Sequence, residues 1–163
     1  MMATTISPFG DHLCFISPCR FDHLRQRHQA LANCFAETGT RVTYVNPIGS
    51  AGFSLRRQRF GESLQIFDLT VPFRATQHPG LQRITCLAAK RLLQLHGEWS
   101  PRNSHLWLAD PAWCSWTTAP WQKIYYDRCD RHGFFPRQCR EAWLHYELSL
   151  YKLSHIIFCT SKV

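Results

Sequence analysis

Residues 13–47 read LCFISPCRFDHLRQRHQALANCFAETGTRVTYVNP. Leu13-Cys14-Phe15-Ile16-Ser17 is an apolar run closed by Pro18, the pattern of a short buried strand followed by a loop. From Phe21 to Thr38, Leu24, Ala30, Leu31, Cys34 and Phe35 recur at helical spacing. Gly39 stands where a helix ends in a left-handed residue. Arg41 to Pro47 is then a β-branched run ended by proline, a second strand. Strand, helix, glycine and strand make a βαβ unit, which is normally parallel and right-handed. This stretch sets the class as α/β.

The rest of the chain repeats the alternation. Leu64 to Pro72 reads as a third strand. Leu81 to His96 carries Ile84, Leu87, Ala88, Arg91, Leu92 and Leu95 as an amphipathic helix stopped by Gly97. Ser104 to Ala109 is a fourth strand ended by Asp110-Pro111, and Trp113 to Trp116 suits a turn of helix. Lys123 to Tyr126 is a fifth strand. Pro136 to Leu153 presents Cys139, Trp143, Tyr146, Leu150 and Leu153 as a helix face, and Ser154 to Thr160 is a sixth strand. Ile48 to Glu62 is rich in Gly, Ser and Arg and reads as a mobile basic loop. The expected fold is a Rossmann-like, doubly wound parallel sheet of about six strands in a single domain over residues 1–163.

Composition narrows the function classes. A hydrophobic share of 45% with 18% charged residues describes a globular chain rather than a disordered one. The net charge of +8 favours anionic partners. The eight cysteines include no CxxC pair, so zinc-ligand spacing is absent. Cys19, Cys129, His132 and Cys139 have no spacing that forces convergence, and no metal is expected. No GxGxxG follows a strand, so no dinucleotide cofactor is expected. Neither zinc-finger nor RRM-type motifs occur, so nucleic acid is not an expected partner. No secretory signal and no membrane-length apolar run is present, which makes a cytoplasmic location the expectation. Arg56, Arg57 and Arg59 alternate with Phe53, Leu55 and Phe60. That pattern suits peripheral contact with the inner face of an anionic membrane, and equally a solvated loop.

Candidate site residues follow from strand ends, because ligands of open α/β sheets sit beyond the carboxyl ends of the strands. KIYYDRCDR, residues 123–131, runs a buried strand into Asp127 and Asp130. Carboxylates there can take a proton from an attacking hydroxyl or orient a sugar; the same residues also suit a turn. The loop after the first strand brings Arg20, Arg25 and Arg27 toward the same edge, where a helix start can receive an anion. Asp110 and Trp113 follow the fourth strand. Trp113, with Trp116 and Trp121, offers a stacking face or forms a local apolar cluster.

Four stretches together resemble the N-terminal domain of bacterial GT-B glycosyltransferases of families 1 and 4, the kind that builds cell-surface polysaccharides. FDHLRQRHQALA, residues 21–32, is similar to W-x-x-x-x-Q-R-P-Q-x-L-A, with His28 where proline is usual. RVTYVNP, residues 41–47, is similar to h-x-V-x-Y-V-x-P in all but its first position. YDRCD, residues 126–130, is similar to Y-D-x-x-D. Glu147 and the run Ser154 to Ser161 are similar to E-x-x-L…A-D-x-V-x-x-T-S, with His155 in place of the usual Asp. The resemblance implies the acceptor-side half of a metal-independent sugar transferase, with a nucleotide-sugar as substrate rather than cofactor. Asp127 and Asp130 would be catalytic, and Arg20, Arg25, Arg27, Asp110 and Trp113 would bind substrate. It also implies a donor-binding domain on a partner chain or beyond these residues, and poor transfer without it. The alternative is a non-catalytic Rossmann-like module that docks on a membrane surface or a partner protein.

Overall fold

The computed structural model describes residues 11–22, 26–50, 52–72, 75–129 and 140–159. The elements are β1 (His12–Ile16), α1 (Arg27–Glu37), β2 (Arg41–Ser50), β3 (Ser54–Phe60), β4 (Leu64–Pro72), α2 (Pro79–Leu95), β5 (His105–Leu108), β6 (Ile124–Arg128), α3 (Arg140–Leu153) and β7 (Ile156–Cys159). A 3₁₀ segment, Pro111–Thr118, follows β5. The strands form one sheet in the order β3-β4-β2-β1-β5-β6-β7. All neighbours are parallel except β3, which runs antiparallel to β4. The chain starts at the centre, winds outward to β4, and then crosses back to build β5, β6 and β7. This α/β architecture is compatible with a Rossmann-like fold, whose topological switch lies between β1 and β5.

Side chains alternate along each strand, so the sheet has two apolar faces. Leu13, Phe15, Val42, Tyr44, Ile66, Trp107 and Tyr125 pack with Ala32 and Phe35 of α1. Cys14, Ile16, Val45, Phe67, Leu69, Leu106 and Tyr126 pack with α2, α3 and the 3₁₀ segment. On the α1 face, aromatic rings stack across neighbouring strands. Tyr44 lies 5.3 Å from Phe15, Phe15 5.6 Å from Trp107, and Trp107 5.0 Å from Phe158. Each such pair adds about 0.5–1.5 kcal/mol beyond the burial of its area.

Both glycine stops act as the sequence suggests. Gly39 takes φ +89°, its N–H bonds Ala36 O, and the Thr40 N–H bonds Phe35 O. Gly97 takes φ +72° and repeats the pattern with Gln94 and Leu93. These are Schellman turns, which need a residue free of the Cβ clash at positive φ.

Three expectations need correction. Residues 54–60 of the expected loop form β3, paired over Ser54–Phe60 with Thr70–Leu64, so the sheet has seven strands rather than six. The segment SLRRQRF is mostly exposed and carries no period-2 signal, as suits an edge strand that its arginines disguise as a loop. The buried face of α1 is His28, Gln29, Ala32 and Phe35, while Ala30 and Cys34 are exposed. The buried face of α2 is Gln82, Thr85, Cys86, Ala89 and Leu93, while Leu81, Ile84, Leu87 and Leu95 face outward. Phe67, Leu69, Trp113 and Trp116 already fill the volume beneath α2. Small side chains on the helix let it approach that surface at interior packing density. The Trp116 indole N–H donating to Cys86 O at 3.0 Å fixes the approach.

Candidate functional site at the carboxyl edge

The start of α1 meets the end of β6. Gln26 precedes the helix, and its N–H bonds the Gln29 side chain at 2.9 Å. Gln29 donates from Nε2 to Arg20 O at 2.8 Å, which ties the loop after β1 to the first helical turn. Tyr44 Oη donates to Cys19 O at 2.9 Å and fixes the same loop from β2. Arg27 and His28 therefore project from an anchored turn.

Asp127 lies on the α1 face of β6, two residues beyond Tyr125. Its side chain is 0% exposed, and one oxygen accepts from Arg27 Nη2 at 2.6 Å. Arg27 itself is 39% exposed, so the pair has one end buried and one end at the crevice. The other oxygen, Asp127 Oδ2, has no hydrogen-bond partner among the described residues. His28 is buried, packs edge-on to Phe15, and has Nε2 3.0 Å from Cys129 Sγ. Ligand atoms of His28, Asp127 and Cys129 all lie within 4.8 Å of one another. An arginine, a carboxylate, an imidazole and a thiol thus meet where two separated segments, 27–28 and 127–129, converge. Nearby, Asn46 accepts from the Phe21 N–H at 3.1 Å and donates to Asp68 at 2.8 Å.

Of the residues expected to form a site, the fold brings Arg27 and Asp127 together. Asp127 is closed to solvent, and one of its oxygens holds Arg27. Arg20 stays at the surface in a two-point pair with Asp22, at 3.0 and 2.6 Å. Asp110 begins the 3₁₀ segment and caps it by accepting from the Ala112 N–H at 3.0 Å. Trp113 is 1% exposed and packs edge-to-face on Trp116, so it presents no stacking face to a ligand. Arg25 and Asp130 lie outside the described residues, as do His132 and Cys139. The arginines of the basic run divide between the faces of β3. Arg57 bonds Gln65 at 2.7 Å and lies over the Phe67 ring, opposite Phe60, which packs on Phe21.

From the sequence, Cys129 is weighed only with Cys19, His132 and Cys139, and His28, 101 positions away, is not singled out. The one local signal was His28 itself, standing where the resembling motif has proline. On the other face, burial pushes the Cys86 thiol up to about 12 and the Cys114 thiol up to about 11. A cavity of about 400 Å³ lies on the opposite face, between α2, the 3₁₀ segment and α3, lined by Arg83, Lys90, Trp99 and His145 among others. Among the described residues its lining includes no carboxylate and does not include Asp127. No helix among the described residues is long and apolar enough to cross a membrane. No family model matches the chain, and no curated protein or solved structure is similar to it.

Proposed function

We propose that this chain is the acceptor-side domain of a GT-B sugar transferase. The observation that carries the reading is the Arg27–Asp127 pair at 2.6 Å. Its members come from two motifs that resemble the family separately, and their meeting at a strand's carboxyl end gives those motifs a common purpose. In this reading the half-exposed Arg27 guanidinium binds hydroxyls or a phosphate of the acceptor, and Asp127 fixes its direction. The acceptor oxygen bonds to the anomeric carbon of the donor sugar while the bond to the nucleoside diphosphate breaks. The electron pair leaves with the phosphate, and the hydroxyl proton passes to a carboxylate, the role read for Asp130. The donor nucleotide is held by a second Rossmann-like domain outside these residues.

Calorimetry on the 163-residue chain tests the reading. Weak binding of sugar-phosphate acceptors, lost in Arg27→Met, is expected, with no appreciable heat from UDP- or GDP-sugars. Tight nucleotide-sugar binding would contradict a donor site elsewhere, and an acceptor affinity indifferent to Arg27 would remove the site.

A different observation favours the docking reading. Leu81, Ile84, Leu87 and Leu95 form an outward apolar stripe, 55–68% exposed, on a helix with Arg83, Lys90 and Arg91 and no acidic residue. Flotation with anionic vesicles distinguishes the two, since Leu87→Glu abolishes flotation without altering acceptor binding if the stripe docks.

A further inference from the structure

We infer that His28, Asp127 and Cys129 form a site for a divalent d-block cation of the zinc type. This does not rest on the sugar-transfer reading. Three observations carry it. The ligand atoms lie within 4.8 Å of one another, with His28 Nε2 3.0 Å from Cys129 Sγ. Bonds of about 2.0–2.3 Å to nitrogen, oxygen and sulfur put tetrahedral ligand atoms roughly 3.3–3.6 Å apart, so small side-chain shifts suffice. Asp127 Oδ2 is the second observation: an oxygen of a side chain fully shut from solvent with no partner among the described residues. Native proteins seldom leave such an atom unsatisfied, and an ion is one of the standard remedies. Arg27 occupies the other oxygen, leaving Oδ2 for a different cation.

The donor set selects the metal. One imidazole, one thiolate and one carboxylate suit zinc and its neighbours, whereas calcium and magnesium take oxygen. A dication with the Cys129 thiolate and the Asp127 carboxylate is neutral, and the remaining positive charge is that of the half-exposed Arg27, the outer partner that orients the carboxylate. On binding, the Cys129 thiol proton goes to solvent and the sulfur lone pair goes to the metal. His28 must be neutral to offer Nε2. Three protein ligands leave a fourth position for water or a bound anion, the pattern of an open site. The metal clips the end of β6 to the first turn of α1, the junction that presents Arg27.

The test uses the full chain, freed of metal by chelation and titrated with Co²⁺. One equivalent should give a sulfur-to-cobalt charge-transfer band and visible bands of tetrahedral intensity, both displaced by Zn²⁺. Cys129→Ser should remove the charge-transfer band, and His28→Gln should weaken affinity at least tenfold. Cys34→Ser and Cys159→Ser, at exposed thiols, should leave the spectrum unchanged. Zinc-edge X-ray absorption on the unsubstituted chain gives a reading independent of whether the variants fold. A first shell with one sulfur and the rest nitrogen or oxygen is expected. Absence of a charge-transfer band, its survival in Cys129→Ser, or a shell with no sulfur or with several would overturn the site.

Discussion

Two buried carboxylates sit at opposite ends of the sheet, and they are treated differently. Glu98, at the amino end, has a side chain 3% exposed and a cationic group facing each oxygen, with its hydrogen bonds on Oε2. Arg41 bonds it at 2.7 Å, Thr43 at 3.2 Å, and Arg57 lies 3.6 Å away. His12 extends that network, bonded to Thr43 at 2.8 Å and to Ser104 at 2.7 Å. Asp127, at the carboxyl end, is more deeply buried and has one charged partner and one orphaned oxygen. A saturated network fixes the fold. An acid left half-satisfied raises the energy of its site until something binds, and that is where function concentrates. Under the proposed function, the amino end serves stability and the carboxyl end serves chemistry.

The largest effect should come from Arg27→Ala. It strands the Asp127 charge and should cost about 3–5 kcal/mol in urea unfolding. Arg41→Ala, which leaves Glu98 two partners, should cost about 1–2 kcal/mol. Equal losses would end the distinction between the two acids.

Next is His12. Burial, reinforced by the Arg41 charge, lowers it from 6.5 to about 4. The unfolded chain takes up this proton near pH 6.5 while the folded state refuses it until about 4. Stability is therefore undiminished above pH 6.5 and falls as pH drops toward 4, by up to about 3 kcal/mol. His12→Gln should flatten that part of the profile, and parallel curves for the two proteins would show that the amino-end network does not titrate this way.

Asp127→Asn should be milder than Arg27→Ala, about 1–2 kcal/mol, because Arg27 can turn to water. It sharpens the comparison by separating the cost of the acid from that of its cation, and a loss as large as that of Arg27→Ala would show that Arg27 depends on the pair. The smallest effect belongs to Leu87→Lys on the outward stripe of α2, within about 0.5 kcal/mol by thermal unfolding. A large loss would mean that the stripe packs on the fold.

Much of the fold was legible in the sequence because strands buried on both faces read as continuous apolar runs. Leu13 to Ile16 is of this kind. The two glycine stops were legible because backbone geometry demands them. Helix faces were legible only in part: Trp143, Tyr146 and Leu150 of α3 are buried as expected, whereas α2 turns Thr85, Cys86 and Ala89 inward for reasons that reside in Trp113 and Trp116, far along the chain. β3 was missed because an edge strand's charged residues resemble a loop. At the site, Arg27 and Asp127 could be named from motifs. The pairing of His28 with Cys129 could not, because it arises only when the start of α1 packs beside the end of β6.

The central claim is that the carboxyl edge, and not the amino edge or the α2–α3 cavity, receives the ligand. The most direct measurement is an amide NMR titration of the chain with sugar-phosphate acceptors. Shifts should appear at residues 17–20, 26–29 and 127–129, saturate together, and vanish in Arg27→Met. Shifts centred on Glu98 and His12, or on Arg83 and His145, would contradict the claim.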